Sequence, residues 1–329
     1  MHTVLVTGCA GFIGSHVCEQ LLAQGYRVLG LDNFDLFYDR RRKEVNMAAL
    51  LLHPGFVFYE LDLRAGSLAL HENLPPEEID IVVHLAAKAG VGLSVREPQA
   101  YLENNVQGTL HLLEWMRQRC ITKLFFSSSS SVYGNTAQKP FREDMALVHS
   151  CLSPYAVSKL AGEHLTHTYH HLYGLSVIVG RFFTVYGPRQ RPDLAIYKFA
   201  QLLRQQQPIP VYGDGSTARD YTFVDDTVAG ILQGVAYLVR KQCVYEIVNL
   251  GNHHPVPLLT LIRAVAAAVG IPGKPHLVFQ PMQAGDADTT FADIGKAHQL
   301  LGYTPRTTLD DGLQQFVAWL DQPTLVDTI

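Results

Sequence analysis

Long apolar runs, paired cysteines and surplus charge are what this 329-residue chain has little of. No apolar run reaches the roughly 18 residues of a membrane-spanning helix, so a span is not expected. The five cysteines, Cys9, Cys18, Cys120, Cys151 and Cys243, are odd in number and form no CxxC pair. Reduced thiols and a cytoplasmic setting are therefore expected. MHTVLVTG enters a strand-like segment at once, without the layout of a signal peptide. Only 17% of residues are charged, and a formal charge of -4 supplies no attraction for nucleic acid or an anionic membrane. Histidine is plentiful, but HLTHTYHHLYG spreads His167, His170 and His171 over several helix faces, with no acidic ligand at useful spacing. Ordinary surface and half-buried histidines, and no metal, are expected.

What the chain does have is 47% hydrophobic residues arranged in short runs, enough for one large or two moderate domains. HTVLVT (2–7), RVLGLD (27–32), FVFYEL (56–61), DIVVHL (80–85), KLFFS (123–127) and LSVIVGRF (175–182) read as buried strands. Helix-periodic segments at 15–24, 98–119 and 154–173 separate them. This alternation predicts an α/β fold, a Rossmann-type doubly wound parallel sheet with right-handed crossovers. After residue 182 the pattern loosens into Gly/Pro-rich clusters such as YGPRQRPD, QPIPVYGDGS and GNHHPVP, as in a smaller α/β substrate domain whose loops hold a ligand. The segment at 245–249, with the helix before it, is expected to return to the main sheet. The predicted division is 1–180 with about 222–250 for the first domain, and 181–221 with 251–329 for the second.

VTGCAGFIGSH sets Gly8, Gly11 and Gly14 directly after the first strand, at the opening of a helix. Glycines there allow a tight turn, the approach of backbone N–H groups to a pyrophosphate, and close packing of helix on strand. Phe12 and Ile13 lie between them. Asp32 ends the second strand 18 residues after Gly14, with Asn33 beside it. A carboxylate at that place accepts from ribose hydroxyls and repels a 2′-phosphate, which favours NAD over NADP. The basic run Arg40, Arg41, Arg42 and Lys43 follows a loop and begins a helix, so a solvated face is expected of it. Asp62 and Leu63 after the third strand, and Leu85, Ala86, Ala87 and Lys88 after the fourth, are further candidate cofactor contacts.

Tyr155 and Lys159, in SPYAVSK, are four apart and so share a helix face. A free phenol titrates near ~10, so its use as a base near neutrality needs a fall of roughly three pKa units, about 4 kcal/mol in favour of the phenolate. A neighbouring ammonium and a positively charged nicotinamide ring can supply that. FFSSSSSVYG (125–134) places five serines where the fifth strand leaves the C-terminal edge of the sheet, the edge at which doubly wound folds bind ligands. Ser129, Ser130 and Ser131 are therefore expected to line a crevice near Tyr155.

TGxxGFIG, HLAAKAGV, SSSSSVYG, YxxxK and RFFTVYGPRQRPD, continued by MQAGDADTTFADIGKAHQLLGYTPRTTLDDGL, resemble the extended short-chain dehydrogenase/reductases. Within that family they are most similar to the nucleotide-sugar 4-epimerases, and closest to the UDP-glucuronate 4-epimerase group. The resemblance implies that Tyr155 takes the proton of the sugar 4-hydroxyl while hydride passes from C4 to tightly held NAD. Ser129 would share that hydrogen bond, and Lys159 would lower the phenol pKa and hold the nicotinamide ribose. Related 4,6-dehydratases and UDP-xylose-forming decarboxylases carry acidic residues where this chain has Ser130 and Ser131, so both reactions are expected less than epimerisation.

A 4-keto uronate is a β-keto acid prone to lose carbon dioxide, so its carboxylate needs a clamp. Ser130, Ser131, Thr184 and Arg191 match the carboxylate contacts of the UDP-glucuronate group, and a guanidinium suits the task through its paired donors. By the same resemblance Arg219 would contact the diphosphate, Asp286 the uridine ribose and Tyr212 the uracil. Two departures stand out: Lys88 replaces a common Gln, and Gly92 replaces the Arg of AGVR, with Arg96 available from the next turn. A pocket for a neutral UDP-hexose, UDP-glucose or UDP-N-acetylglucosamine, is the alternative; a non-catalytic dinucleotide sensor is a remote one, since Tyr155 and Lys159 are both present. Family members dimerise through helices corresponding to 98–119 and 154–173, so a homodimer is expected.

Overall fold

Runs of Val, Leu and Ile too apolar to face water on either side become the strands of one parallel sheet. The computed structural model describes residues 2–75, 78–282 and 285–322. Its first six strands are Thr3–Thr7 (β1), Arg27–Asp32 (β2), Phe56–Glu60 (β3), Ile81–His84 (β4), Lys123–Ser129 (β5) and Ser176–Phe182 (β6). Thr184–Tyr186 (β7), Ile209–Tyr212 (β8) and Ala218–Phe223 (β9) follow, and then Tyr245–Leu250 (β10), Pro255–Pro257 (β11) and Leu277–Gln280 (β12). The seven-stranded sheet has the order β10-β6-β5-β4-β1-β2-β3, every neighbour parallel. That is the doubly wound arrangement expected from the alternation.

Helices Phe12–Ala23 (α1), Arg40–Leu51 (α2) and Ser67–Asn73 (α3) follow the first three strands. Val91–Arg96 (α4), Pro98–Leu102 (α5) and Gly108–Gln118 (α6) connect β4 to β5, and Pro154–Tyr173 (α7) connects β5 to β6. Ala195–Arg204 (α8) precedes β8, and Val224–Arg240 (α9) leads into β10. Leu258–Val269 (α10), Gly295–Leu301 (α11) and Leu309–Leu320 (α12) complete the chain. Successive strand residues point to opposite faces. Val4, Val6, Ile81, Val83 and Ile178 pack on α1 and α9, whereas Leu5, Val82, Leu124, Val177 and Val179 pack toward α3, α6 and α7. Outside the large sheet lie a three-stranded sheet, β11-β9-β7, and the pair β12-β8.

Two elements differ from expectation, each for a physical reason. β5 runs two residues beyond its expected end at 127, because Ser128 and Ser129 pair in register with Arg181 and Phe182 of β6. The single helix expected over 98–119 is interrupted by a π turn at Glu103–Gln107. The turn presents buried Asn105, whose Nδ2 donates to Lys88 O and Ser158 Oγ, both at 2.9 Å, while its Oδ1 accepts from Lys88 N at 2.8 Å. A wider turn inside a helix often marks a functional position, and here it fixes the loop after β4.

His84, at the end of β4, is buried between two hydroxyls. Thr109 donates to Asn105 O at 2.6 Å, so its oxygen accepts from His84 Nε2–H at 2.9 Å. Nδ1 then accepts from Thr7 Oγ1 at 2.7 Å. The ring is neutral; burial first, and the nearby Lys159 charge second, push its pKa down to about 3. The unfolded chain binds a proton below about 6.5 and the folded one does not, so this residue costs stability as pH falls from there toward 3. His84→Gln should destabilise at pH 7 yet lose about 2 kcal/mol less than wild type on going to pH 5, at ~1.4 kcal/mol per pKa unit. Urea unfolding at the two pH values measures this; a gap between the proteins that does not narrow contradicts the neutral ring.

Candidate active site

Every site residue expected from the sequence lines one crevice of ≈ 1050 Å³ along the C-terminal ends of β1, β2, β4 and β5. At one end β1 turns through Gly8, whose φ is +74°, into α1. A Cβ on Gly14 would lie 2.0 Å from Gly8 O, so helix and turn meet only because residue 14 has no side chain. Gly11 caps α1 without a side-chain hydrogen bond, and the first turn holds no acid. The positive end of the helix is thereby left to an anion. Phe12, Ile13, Leu85, Ala86, Ala87 and Lys88 line the same wall.

Asp32 is buried at the end of β2. Its Oδ2 accepts from Ala10 N at 3.2 Å, and its Oδ1 from Phe34 N at 2.8 Å and Lys43 Nζ at 3.1 Å. Here the solvated-face expectation is corrected. Arg40 and Arg41 do face water, on Glu44, Glu60 and Asp39. Arg42, however, reaches the Tyr197 hydroxyl at 3.0 Å, and Lys43 is buried. Lys43 shares the inner stripe of α2 with Asn46, Met47 and Leu50, at helical spacing, and that periodicity was the available signal. Asn33 Nδ2 donates to Asp62 Oδ2 at 3.0 Å. Burial raises the Asp62 pKa, but bonds from Arg64 and Asn33 outweigh it and hold the group near about 2. Lys88 Nζ lies 3.6 Å from Asp35 Oδ1.

At the centre, Ser153 caps α7 by accepting from Ala156 N at 3.2 Å, with Pro154 in the first turn. This start puts Tyr155, Lys159 and Glu163 on successive turns of one face. Lys159 Nζ donates to Ser127 O at 2.8 Å. Ser128 Oγ donates to Glu163 Oε1 at 2.5 Å, and Arg181 grips the same carboxylate through Nε and Nη2 at 2.9 and 2.7 Å. Arg181 Nη1 continues to the Tyr133 hydroxyl at 2.9 Å, which donates to Asn249 Oδ1 at 2.8 Å. All five serines line the crevice with Tyr155, and Ser127 and Ser128 in addition fasten β5 to α7.

Burial raises the Tyr155 pKa above its ordinary value, opposed by the Ser129 hydroxyl and by the Arg191 charge. Burial lowers Lys159 to about 8, opposed by Glu163. The lysine is therefore still largely an ammonium at neutral pH. Tyr101 presses edge-to-face on Tyr155 at 6.1 Å between ring centroids.

Thr184, Tyr212, Arg219 and Asp286 line the crevice as well, and Arg191 does so close to Tyr155 and the loop after β4. Arg191 holds Asp193 through Nε and Nη2, both at 2.9 Å, and its guanidinium lies 4.9 Å from the Phe37 ring centroid. Arg219 Nη2 and Asp286 Oδ1 pair with each other at 3.1 Å. Phe37, Tyr38, Asp193 and Lys198 also line the crevice and were not singled out from the sequence, and Lys43 lines it where a solvated face was expected. For Lys198 the signal was a lone cation within the apolar AIYKFA stretch of α8. His167 and His170, considered as metal ligands, pack instead on the Tyr245 ring at 4.9 and 5.6 Å.

A family model described as GDP-mannose 4,6 dehydratase matches residues 5–316. The chain belongs to this family of extended short-chain dehydrogenase/reductases. It is 40% identical to the UDP-glucuronate 4-epimerase of Thermodesulfobacterium geofontis, across 96% of this chain and 95% of that one. Among solved structures, the UDP-glucuronic acid 4-epimerase from Bacillus cereus in complex with UDP-glucuronic acid and NAD superposes with a TM-score of 0.89. It is 36% identical and covers 98% of this chain and 100% of its own. The UDP-glucose 4-epimerase with UDP-glucose from Thermotoga maritima has a TM-score of 0.82 at 30% identity, covering 97% and 98%. The extended-dehydrogenase fold and an NAD-type site are thus common to chain and relatives.

A buried ammonium beside the buried Asp32 carboxylate has a measurable consequence. Lys43→Met should destabilise the protein by about 3 kcal/mol, because it strands a buried carboxylate, and adding Asp32→Asn should recover much of the loss. Denaturant unfolding of both variants tests the pair; a neutral Lys43→Met would contradict it.

Proposed function

We propose that this chain is an NAD-retaining 4-epimerase of UDP-sugars that interconverts UDP-glucuronate and UDP-galacturonate. The observation carrying the proposal is the meeting, in one crevice, of Tyr155, Ser129 and Arg191, with hydroxyls at Ser130 and Ser131 where elimination would need a carboxyl group. The proposed division of labour gives NAD to 1–180 with about 222–250, and the nucleotide sugar to 181–221 with 251–329.

The residues present fit the dinucleotide: a Gly14 that no other residue could replace without moving Gly8, an uncapped helix start, and a buried carboxylate at Asp32. Gly8, Gly11, Asp32, Asn33, Asp62 and the wall from Leu85 to Lys88 would hold it. Bound NAD supplies a hydride acceptor and donor at the sugar C4, with no net redox change over the cycle. Tyr155 takes the 4-hydroxyl proton and later returns it; Ser129 aligns that hydroxyl. Lys159, fixed on Ser127 O, keeps positive charge one helical turn along from the phenol. Ser130, Ser131, Thr184 and Arg191 hold the uronate carboxylate away from the orientation in which carbon dioxide departs. Arg219 and Asp286, already paired, open to take diphosphate and uridine ribose, with Tyr212 near the base.

A second reading, a neutral UDP-hexose 4-epimerase, is favoured by Asp193, which neutralises Arg191, and by Gly92, which leaves a cation out of the wall. A cytoplasmic homodimer is part of the proposal. Exposed Leu102, Leu110, Val157, Leu172 and Tyr173 on α5, α6 and α7 support a helical interface.

Purified protein incubated with UDP-glucuronate and no added cofactor should form a product of unchanged mass, with UDP-pentose a minor species. Carbon dioxide loss as the main outcome would sink the carboxylate clamp. Tyr155→Phe should lower turnover by about 10²–10⁴-fold. Arg191→Ala should weaken turnover of UDP-glucuronate while sparing a neutral UDP-hexose; equal loss on both would favour a role for Arg191 outside the clamp.

A further inference from the structure

We infer that Arg189 is a positioning residue for the acidic-sugar clamp: it fastens the turn that carries Arg191 to the flank of α1, the helix whose first turn faces the cofactor end of the crevice. This rests on the proposed recognition of a uronate by Arg191 and deepens it.

Three contacts make the fastening. Pro188 O accepts from His16 Nε2 at 3.1 Å. Arg189 Nη1 donates to Ser15 Oγ at 3.3 Å, and Nη2 to Glu19 Oε1 at 2.7 Å. Ser15 and Glu19 are one helical turn apart, so the guanidinium spans the flank of α1 just beyond Gly14. Burial, with the Arg189 charge second, lowers the His16 pKa, which suits a neutral ring donating to a carbonyl.

The turn is closed on itself as well. Gly187 N donates to Gln190 Oε1, and Gln190 N to Gly187 O, both at 3.2 Å. Gln190 is 2% exposed. Arg189 has φ +66°, a left-handed conformation that a side-chain-bearing residue holds only when its surroundings impose it. The imposed element is short. Only Gln190 separates Arg189 from Arg191, whose guanidinium is then set by Asp193 and the Phe37 ring.

One helix therefore registers both the glycine turn and the segment that carries Arg191. Its N-terminus faces the dinucleotide, and its flank sets where Arg191 meets the sugar. The spacing between hydride carrier and carboxylate clamp is built into α1 rather than left to the packing of a mobile loop. Cutting the fastening should blur the position of Arg191 without touching uridine, diphosphate or nicotinamide contacts.

The test compares wild type with Arg189→Ala, Arg189→Lys and Glu19→Gln, measuring KM for UDP-glucuronate, the UDP-pentose fraction and inhibition by UDP-glucose. Misplacing a binding group by ~1 Å is costly, so Arg189→Ala should raise KM roughly tenfold. The UDP-pentose fraction should rise several-fold, while the inhibition constant of UDP-glucose and the bound NAD content stay within about twofold. Arg189→Lys, which keeps a charge opposite Glu19, should recover part of the loss. Glu19→Gln cuts the same pair from α1 and should shift product partition the same way, which covers the case in which Arg189→Ala does not fold. Equal weakening of UDP-glucuronate and UDP-glucose would make Arg189 merely structural and overturn the inference, as would no change in any variant. A wild-type protein inert toward UDP-glucuronate refutes the parent reading, and that failure is read on a different sample from the variants.

Discussion

In the proposed reaction a phenol must give up its proton inside a protein crevice, and the site is arranged around that constraint. Burial alone holds Tyr155 above its ordinary pKa. Chemistry at neutral pH needs the opposite, and the chain collects around the ring what it has to offer: the Ser129 hydroxyl and the Arg191 charge. Lys159 lies one helical turn away and is held on a backbone carbonyl, so its charge cannot wander from the floor of the site. Beneath it, the Glu163–Arg181 pair is closed and hydrogen-bonded on both sides, which adds structure without adding net charge.

The position of that phenol follows from the sheet. β5 ends in small polar side chains instead of branched ones, so α7 can lie close over it and exchange hydrogen bonds with it. Ser128 and Ser127 make this docking, and the three serines beyond them continue along the crevice wall. The same economy of elements recurs at α1. Its uncapped start lines the crevice, and its Ser15 and Glu19 anchor the segment that carries Arg191.

Much of this was legible in the sequence. The seven long strands follow from their Val, Leu and Ile content, and α7 follows from Ser153-Pro154 at its start and Gly174 at its end. The cofactor and catalytic candidates came from glycine spacing, from Asp32 and from a tyrosine and lysine one turn apart, all short-range patterns, whereas Thr184, Arg191, Tyr212, Arg219 and Asp286 came only from resemblance to the family. What the sequence hid was long-range or masked. Serines carry no strand signal, so the end of β5 lay beyond its apolar residues. Asn105 looks like any helix polar residue until the loop it holds, 17 residues earlier, is in place. Lys43 was concealed by three arginines beside it, two of them solvated. Arg189 meets its partner Glu19 across 170 residues of sequence, a contact that no local pattern encodes.

The central claim is that the crevice poises Tyr155 for ionisation only when a positively charged nicotinamide lies beside it. Titrating the phenol directly, by the ultraviolet difference between wild type and Tyr155→Phe with and without bound NAD, tests this most simply. The account predicts a phenol above its ordinary pKa in the NAD-free protein and well below it in the NAD-bound one. A titration that does not move on binding the dinucleotide, or one already depressed without it, would contradict the account.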